Sequence, residues 1–533
     1  MTSNNPERVD IIIIGAGFSG MYAIHRLRNY NVVCLEAGAG VGGTWYWNRY
    51  PGARVDIESV EYSYGFDEAL QQEWKWPEYF SAQPDLERYA NHVADRFDLR
   101  EKIRFSTTVE KLQFDEDENE WQVQTSNGGH LVSRYVVAAT GSLSAPNMPP
   151  WPGRESFKGE IYHTARWPDE GVDFTGKRVG FVGTGSTGIQ AMPIIAEQAD
   201  ELLVFQRTPA FCMPSSNRPL DEAHERDWKD NYPERRKQML DTYGASLVEY
   251  PEASALDLSP EERERILEKS WNSKSAFQML FAFNDVMTNP ESNEIVCEFM
   301  RQKIRSIVSD PDTAELLCPT TYPIGGKRLC IANGYFEMYN ADNVTLIDAK
   351  TAPITAFTEA GLRTADAEYD LDVIVAATGF DAVTGAMARM NIEGIGQRTL
   401  QDKWADGPTT YLGSMVSGFP NLFMIHGPTT PGAQAQMITT GEWQVDWTAD
   451  IIDAMESEGL SHIDVTEEAE QEWAQEVAAV SDFSLHKHAD SWYNGKNIEG
   501  KKGGFMIYVG GFPRYAELCD TAVAEGYKGF TRR

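Results

Sequence analysis

Two glycine-rich turns constrain this chain more than any other feature. In the first, the β-branched run from Asp10 to Ile14 is followed by Gly15, Gly17 and Gly20 at GxGxxG spacing, then by the helix-like stretch Met21 to Leu27. Strand, tight turn and helix follow in order. Gly15 supplies backbone angles that other residues resist, Gly17 lets a pyrophosphate approach the main chain, and Gly20 lets helix and strand pack closely. The helix N-terminus, opened by Phe18 and Ser19, then faces the phosphates. The next strand, Val32 to Leu35, ends in Glu36, a carboxylate placed to accept hydrogen bonds from a ribose diol.

A second copy follows the run Val179 to Val182. Gly183, Gly185 and Gly188 repeat the spacing, with Thr184, Ser186 and Thr187 between them, and the strand Leu202 to Phe205 comes next. Here the position of the acid is taken by Gln206-Arg207-Thr208, so a fixed cation and a hydroxyl face the ribose and suit a 2′-phosphate. One GxGxxG occurs by chance; two, each in strand-turn-helix context, predict a flavoprotein with FAD in the first site and NADPH in the second. The apolar runs Tyr135 to Gly141 and Val373 to Gly379 both end in Thr-Gly and read as strands returning between the two domains.

Charge narrows the partners. Acidic residues outnumber basic ones 80 to 47, a formal charge of −33, which repels nucleic-acid phosphates and anionic membranes. The six cysteines (Cys34, Cys212, Cys297, Cys318, Cys330, Cys519) are scattered, so neither a disulfide framework nor a metal site is indicated. No leader and no membrane-spanning run is evident, and a cytoplasmic protein, monomeric or weakly oligomeric, is expected.

Two longer motifs go further. Phe157, Gly159, His163, Trp167 and Pro168 match the pattern FxGxxxHxxxW(P/D), and Gly42 to Asp56 match GGxWxxxxYPGxxxD, including Gly43, Thr44 and Trp45. The chain therefore resembles the type I Baeyer–Villiger monooxygenases along essentially its whole length, up to the run Tyr508 to Pro513, and looks closest to their phenylacetone monooxygenase branch. The resemblance implies a C4a-peroxyflavin that attacks a ketone, with O2 and NADPH consumed and an ester or lactone released. It places Arg328, in Gly325-Gly326-Lys327-Arg328-Leu329, as the active-site arginine that keeps the peroxide deprotonated, with Asp56 as its partner. It also puts Tyr62 at the flavin, and Lys327, Arg328 and Trp492 at NADP, although a surface lysine and a core tryptophan are open alternatives for Lys327 and Trp492. His163 is implied as a switch on the interdomain linker; a plain hydrogen-bonded histidine is the alternative.

The expected architecture is α/β, with two Rossmann-like dinucleotide-binding domains for FAD and NADP and a helical insertion in the NADP domain. The expected division is 1–144 and 385–533 for FAD, 145–217 and 327–384 for NADP, and 218–326 for the insertion, where Ser259 and Pro260 read as a helix start. The loop Pro428 to Met437 is expected either to border the substrate pocket or to lie on the surface. Trp167-Pro168 and Arg328 count against a flavin monooxygenase that oxygenates nitrogen or sulfur, the main rival, although sulfide oxidation as a side activity is compatible. Lack of a paired redox cysteine motif counts against a flavin disulfide reductase.

Overall fold

The computed structural model describes residues 6–273, 275–496 and 504–533. Its first sheet is centred on the strand Glu7–Ile14, which pairs in parallel with Val32–Leu35 on one side and His130–Ala138 on the other. Ile11, Ile12 and Ile13 are all fully buried, because both faces of this strand are covered; a run without polar alternation is what such a position requires. On one face the helix Phe18–Arg26 lies against the long helix Met437–Glu458, joined by Tyr22 Oη donating to Asp446 (2.8 Å) and by Arg26 ion pairs to Asp446, Asp450 and Asp453.

The sheet is assembled from both ends of the chain. Strand Leu422–Met424 pairs in parallel with His130–Ala138, and Asn391–Glu393 adds to Val109–Asp115 at the edge of an antiparallel meander. The second sheet has five parallel strands in the order Val344–Asp348, Glu201–Gln206, Arg178–Val182, Val373–Ala376, Glu160–His163. Its first three strands in sequence precede a helical stretch and its last two follow it.

That stretch includes the helices Glu222–Leu240, Pro260–Trp271, Ala276–Leu280, Pro290–Ile307 and Pro311–Leu317. Ser259 caps the second of these in a capping box with Glu262, and Pro260 opens it, since proline lacks only an N–H that would be unpaired there. The stretch leaves and re-enters beside the short parallel pair Cys212–Met213 and Cys330–Ile331, which sets Cys330, two residues after Arg328, against Ser186 at the start of the helix Ser186–Ala196 (3.2 Å). Among the described residues, no helix is long and apolar enough to cross a membrane.

Candidate active site

The two glycine-rich turns fold alike. Gly15 (φ +101°) and Gly183 (φ +106°) adopt angles that L side chains rarely take, and a Cβ there would stand 2.6 Å from the Ala139 oxygen and 2.4 Å from the Ala377 oxygen, respectively. Both carbonyls belong to the Ala-Ala-Thr-Gly returns, so each return strand closes its own turn. A Cβ on Gly20 would lie 1.8 Å from the Gly15 oxygen, and one on Gly188 2.4 Å from the Gly183 oxygen.

The middle glycines behave differently. A Cβ on Gly185 would meet nothing within 4 Å, and one on Gly17 would meet only Gly43, at 3.5 Å. Room in front of a bare backbone is what a pyrophosphate needs. The helices Phe18–Arg26 and Ser186–Ala196 both begin after a glycine with no side-chain cap, so their first N–H groups are left for an anion. These residues fit two dinucleotides.

At the ribose end of the first turn, Glu36 is 5% exposed and braces the loop: its two oxygens accept the N–H groups of Ala16 and Gly38, both at 2.7 Å. Burial raises its pKa, and those two N–H groups pull it back down. At the second turn Thr184 Oγ1 donates to the Thr208 carbonyl (2.9 Å), and Arg207 stands exposed. Lys327, whose Nζ lies 5.0 Å over the Tyr322 ring, has its pKa lowered by burial and further by the charge of Arg207. Two cations that repel one another are both relieved by one dianion, which suits a 2′-phosphate.

Between the turns runs the segment that contains Tyr50-Pro51-Gly52. Gly52 (φ +81°) sits so close to the helix Ser186–Ala196 that a Cβ would be 2.4 Å from the Gln190 oxygen. Tyr50 Oη donates to Gln190 Oε1 (2.9 Å), and Gln190 Nε2 donates to the Arg54 carbonyl (3.1 Å). This motif therefore locks the first dinucleotide unit to the second. Its last residue, Asp56, accepts two bonds from Arg328, Nε to Oδ2 at 2.9 Å and Nη2 to Oδ1 at 2.8 Å. Burial works against the guanidinium's charge, but Asp56, together with Tyr493 and Cys330, raises the pKa overall.

The pair faces a cavity lined by Asp56, Arg328, Phe277, Leu280, Gln434 and Tyr493, among others. Arg328 lies 5.7 Å over the Phe277 ring. Burial pushes the Tyr493 phenol up to about 12 against the pull of Arg328, and burial does the same to Tyr62, whose hydroxyl accepts from Trp45 Nε1 (3.2 Å).

A family model described as flavin-binding monooxygenase-like matches residues 8–232. A Baeyer–Villiger monooxygenase of Pseudooceanicola batsensis is 41% identical, over 98% of this chain and 96% of its own length. A phenazine N-monooxygenase of Lysobacter antibioticus is 39% identical, over 99% and 98%. The crystal structure of OTEMO in complex with FAD and NADP superimposes with a TM-score of 0.96 at 39% identity, covering 99% of this chain and all of that one. The chain belongs to the Baeyer–Villiger monooxygenase family.

In this Baeyer–Villiger monooxygenase fold, the fingerprint residues sit away from the cavity. The Phe157 ring covers Gly159, where a Cβ would come within 2.5 Å of it and 2.3 Å of the Asp372 oxygen; a larger residue would pry the strand Glu160–His163 from its partner. Trp167 is a core residue, 5.7 Å from Tyr162 and 6.2 Å from Phe174. His163 is 7% exposed, its Nδ1 accepts the Ala165 N–H (3.1 Å), and its pKa is lowered by burial, so the ring is neutral. Its Nε2 is buried without a partner among the described residues.

Trp492 packs on Val383 and Met506, and it is the neighbouring Tyr493 that lines the cavity. Both sit in the 3-10 turn Trp492–Asn494, where successive side chains point about 120° apart, so only one of the two reaches inward. Phe277, Leu280 and the Tyr50–Gln190 contact were not singled out from the sequence, since each acquires its role only through packing between segments far apart in the chain, whereas Gln434 lines the cavity from within the loop Pro428 to Met437.

Proposed function

We propose that this chain converts ketones to esters or lactones with NADPH and O2, and that Arg328 and Asp56 carry the oxygen-transfer step. The observation that carries this reading is the two-pronged Arg328–Asp56 pair on the wall of a cavity, in a chain that also carries two dinucleotide cradles. FAD would be held by Gly15, Gly17, Phe18, Ser19, Gly20, Glu36, Gly43, Thr44, Trp45, Asp56 and Tyr62. NADP would be held by Gly183, Thr184, Gly185, Ser186, Thr187, Gly188, Arg207, Thr208, Lys327 and Arg328, with Trp492 packed beside the cavity. The flavin-binding unit is 1–144 with 385–533, the nicotinamide unit 145–217 with 327–384, and the insertion 218–326.

Held in the first cradle, FAD would supply the redox chemistry that links NADPH to O2. The protein's part is electrostatic. Arg328 has no proton to lose near neutral pH, so an anionic oxygen nucleophile beside it stays deprotonated, and the same cation stabilises the oxyanion that forms on the ketone. Asp56 fixes two edges of the guanidinium and offsets much of the cost of its burial. Phe277 and Leu280 supply apolar wall that limits water. The acidic surface suits a cytoplasmic monomer or weak oligomer.

Aerobic NADPH oxidation by the flavin-loaded protein, with phenylacetone and a panel of small ketones, should be matched by ester on gas chromatography. A second reading, oxygenation of nitrogen or sulfur, is favoured by the phenazine N-monooxygenase relative. N-oxide or sulfoxide as the sole product across the panel would replace the first reading with the second. Arg207→Ala should raise the KM for NADPH about tenfold or more while leaving that for NADH unraised, since a charge-assisted phosphate contact is lost. An equal rise for both nicotinamides would remove Arg207 from the 2′-phosphate.

A further inference from the structure

Besides Arg328, Asp56, Lys327 and Tyr493, one further polar side chain lines the cavity. Gln434, in the turn Gly432–Gln434, is 8% exposed and lines the cavity with Phe277 and Leu280. Behind it are His486 (2% exposed) and Ser484 (6%), which form a relay: Gln434 Nε2 to His486 Nε2 at 3.3 Å and His486 Nδ1 to Ser484 Oγ at 3.2 Å. The direction of every bond follows from its far end. Ser484 Oγ donates its only proton to the Ser481 carbonyl (3.0 Å), so toward His486 it accepts, and His486 carries its proton on Nδ1. Burial drives the imidazole pKa down to about 4, so the ring is neutral and its Nε2 is a bare acceptor. Gln434 must therefore turn its NH2 to His486. Among the described residues no group donates to Gln434 Oε1, which leaves an acceptor of fixed orientation on a side chain that lines the same cavity as Arg328.

We propose that Gln434 is a specificity-determining residue that accepts a hydrogen bond from a hydroxyl or amide N–H on the ketone, so that the enzyme prefers ketones bearing such a donor over hydrocarbon ketones of the same shape. This rests on the ketone-oxidising reading above. An acceptor buried against an apolar substrate goes unpaired, whereas a donor group restores its bond; sites of this kind discriminate strongly against the analogue that lacks the group. His486 is a positioning residue, acting only through the orientation of the amide.

The test compares kcat/KM for matched pairs, 4-hydroxybutan-2-one with pentan-2-one and 4′-hydroxyacetophenone with 4′-methylacetophenone, by ester formed. In the wild type the hydroxylated member should be favoured about tenfold or more. Gln434→Leu, and the unbranched Gln434→Met as a second variant should the first not retain flavin, should reduce that ratio to near one. His486→Phe should raise the KM for the hydroxylated ketone with little change in its kcat, a split that a merely structural defect would not produce. A wild-type ratio near one, or a ratio unmoved by either Gln434 variant, overturns the role of Gln434 while ester formation still upholds the ketone-oxidising reading. Ester from none of the ketones, with NADPH consumed, overturns both.

Discussion

Replacing Arg328 with alanine is expected to abolish ester formation while NADPH is still oxidised, with hydrogen peroxide appearing in place of product. Most of the proposed nicotinamide cradle lies elsewhere: its glycines, the uncapped helix Ser186–Ala196 and Arg207 all remain, so NADPH should still bind, more weakly without Arg328, and electrons should still reach O2. What disappears is the permanent cation bonded to Asp56 at the cavity wall, and with it the group proposed to keep an oxygen nucleophile anionic. Loss of a single preorganised donor at a developing oxyanion costs roughly a hundredfold to a thousandfold; here the same group serves both nucleophile and oxyanion, so about a thousandfold or more is expected. Alanine also leaves Asp56 without the two bonds it accepts at 2.8 and 2.9 Å, which adds repulsion against any anion in the cavity. Ester by gas chromatography, NADPH by absorbance and peroxide by catalase-sensitive assay decide it. Ester formation within about tenfold of wild type would show that the oxygen-transfer step relies on another group.

Two glycine substitutions in equivalent cradles should fail in opposite ways. Gly20→Ala puts a methyl 1.8 Å from the Gly15 oxygen, backbone against backbone, with no flexible side chain to move aside. The helix must lift from its strand, and destabilisation of about 3 kcal/mol or more with loss of bound FAD is expected. Gly185→Ala adds the same methyl where nothing lies within 4 Å, at a φ of −83° that alanine accepts readily. The protein should keep its melting temperature and its flavin, but the KM for NADPH should climb by about tenfold or more because the methyl fills the room a pyrophosphate needs. Thermal unfolding, flavin absorbance and NADPH titration separate the two. A destabilised Gly185→Ala protein with unchanged KM for NADPH would mean that the open space has no ligand-binding role.

Much of the fold was readable because its constraints are local. A GxGxxG turn demands its glycines for steric reasons that operate within six residues, and the following acid or arginine lies at a strand end whose register is set by the same turn. The capping box at Ser259 and Glu262 is equally local. Trp492 shows the limit. Sequence offered Trp492 and Tyr493 side by side, and nothing in composition or periodicity says which of two adjacent aromatics a 3-10 turn directs toward a cavity formed by segments from 56 to 434. Glu36 shows another: its strand-end place was evident, but its use as a brace for the Ala16 and Gly38 N–H groups was not.

By itself, then, the sequence determined that there are two dinucleotide cradles and the family to which they belong, since each is written in short, sterically specified motifs; its resemblance also pointed to Arg328 and its partner Asp56. Only the tertiary structure decided how Gly52 and Tyr50 lock one cradle to the other and that Gln434 turns its amide toward a neutral His486. Those contacts join segments far apart in sequence, and their geometry depends on burial and on the direction of each hydrogen bond, neither of which a residue's neighbours in the chain specify.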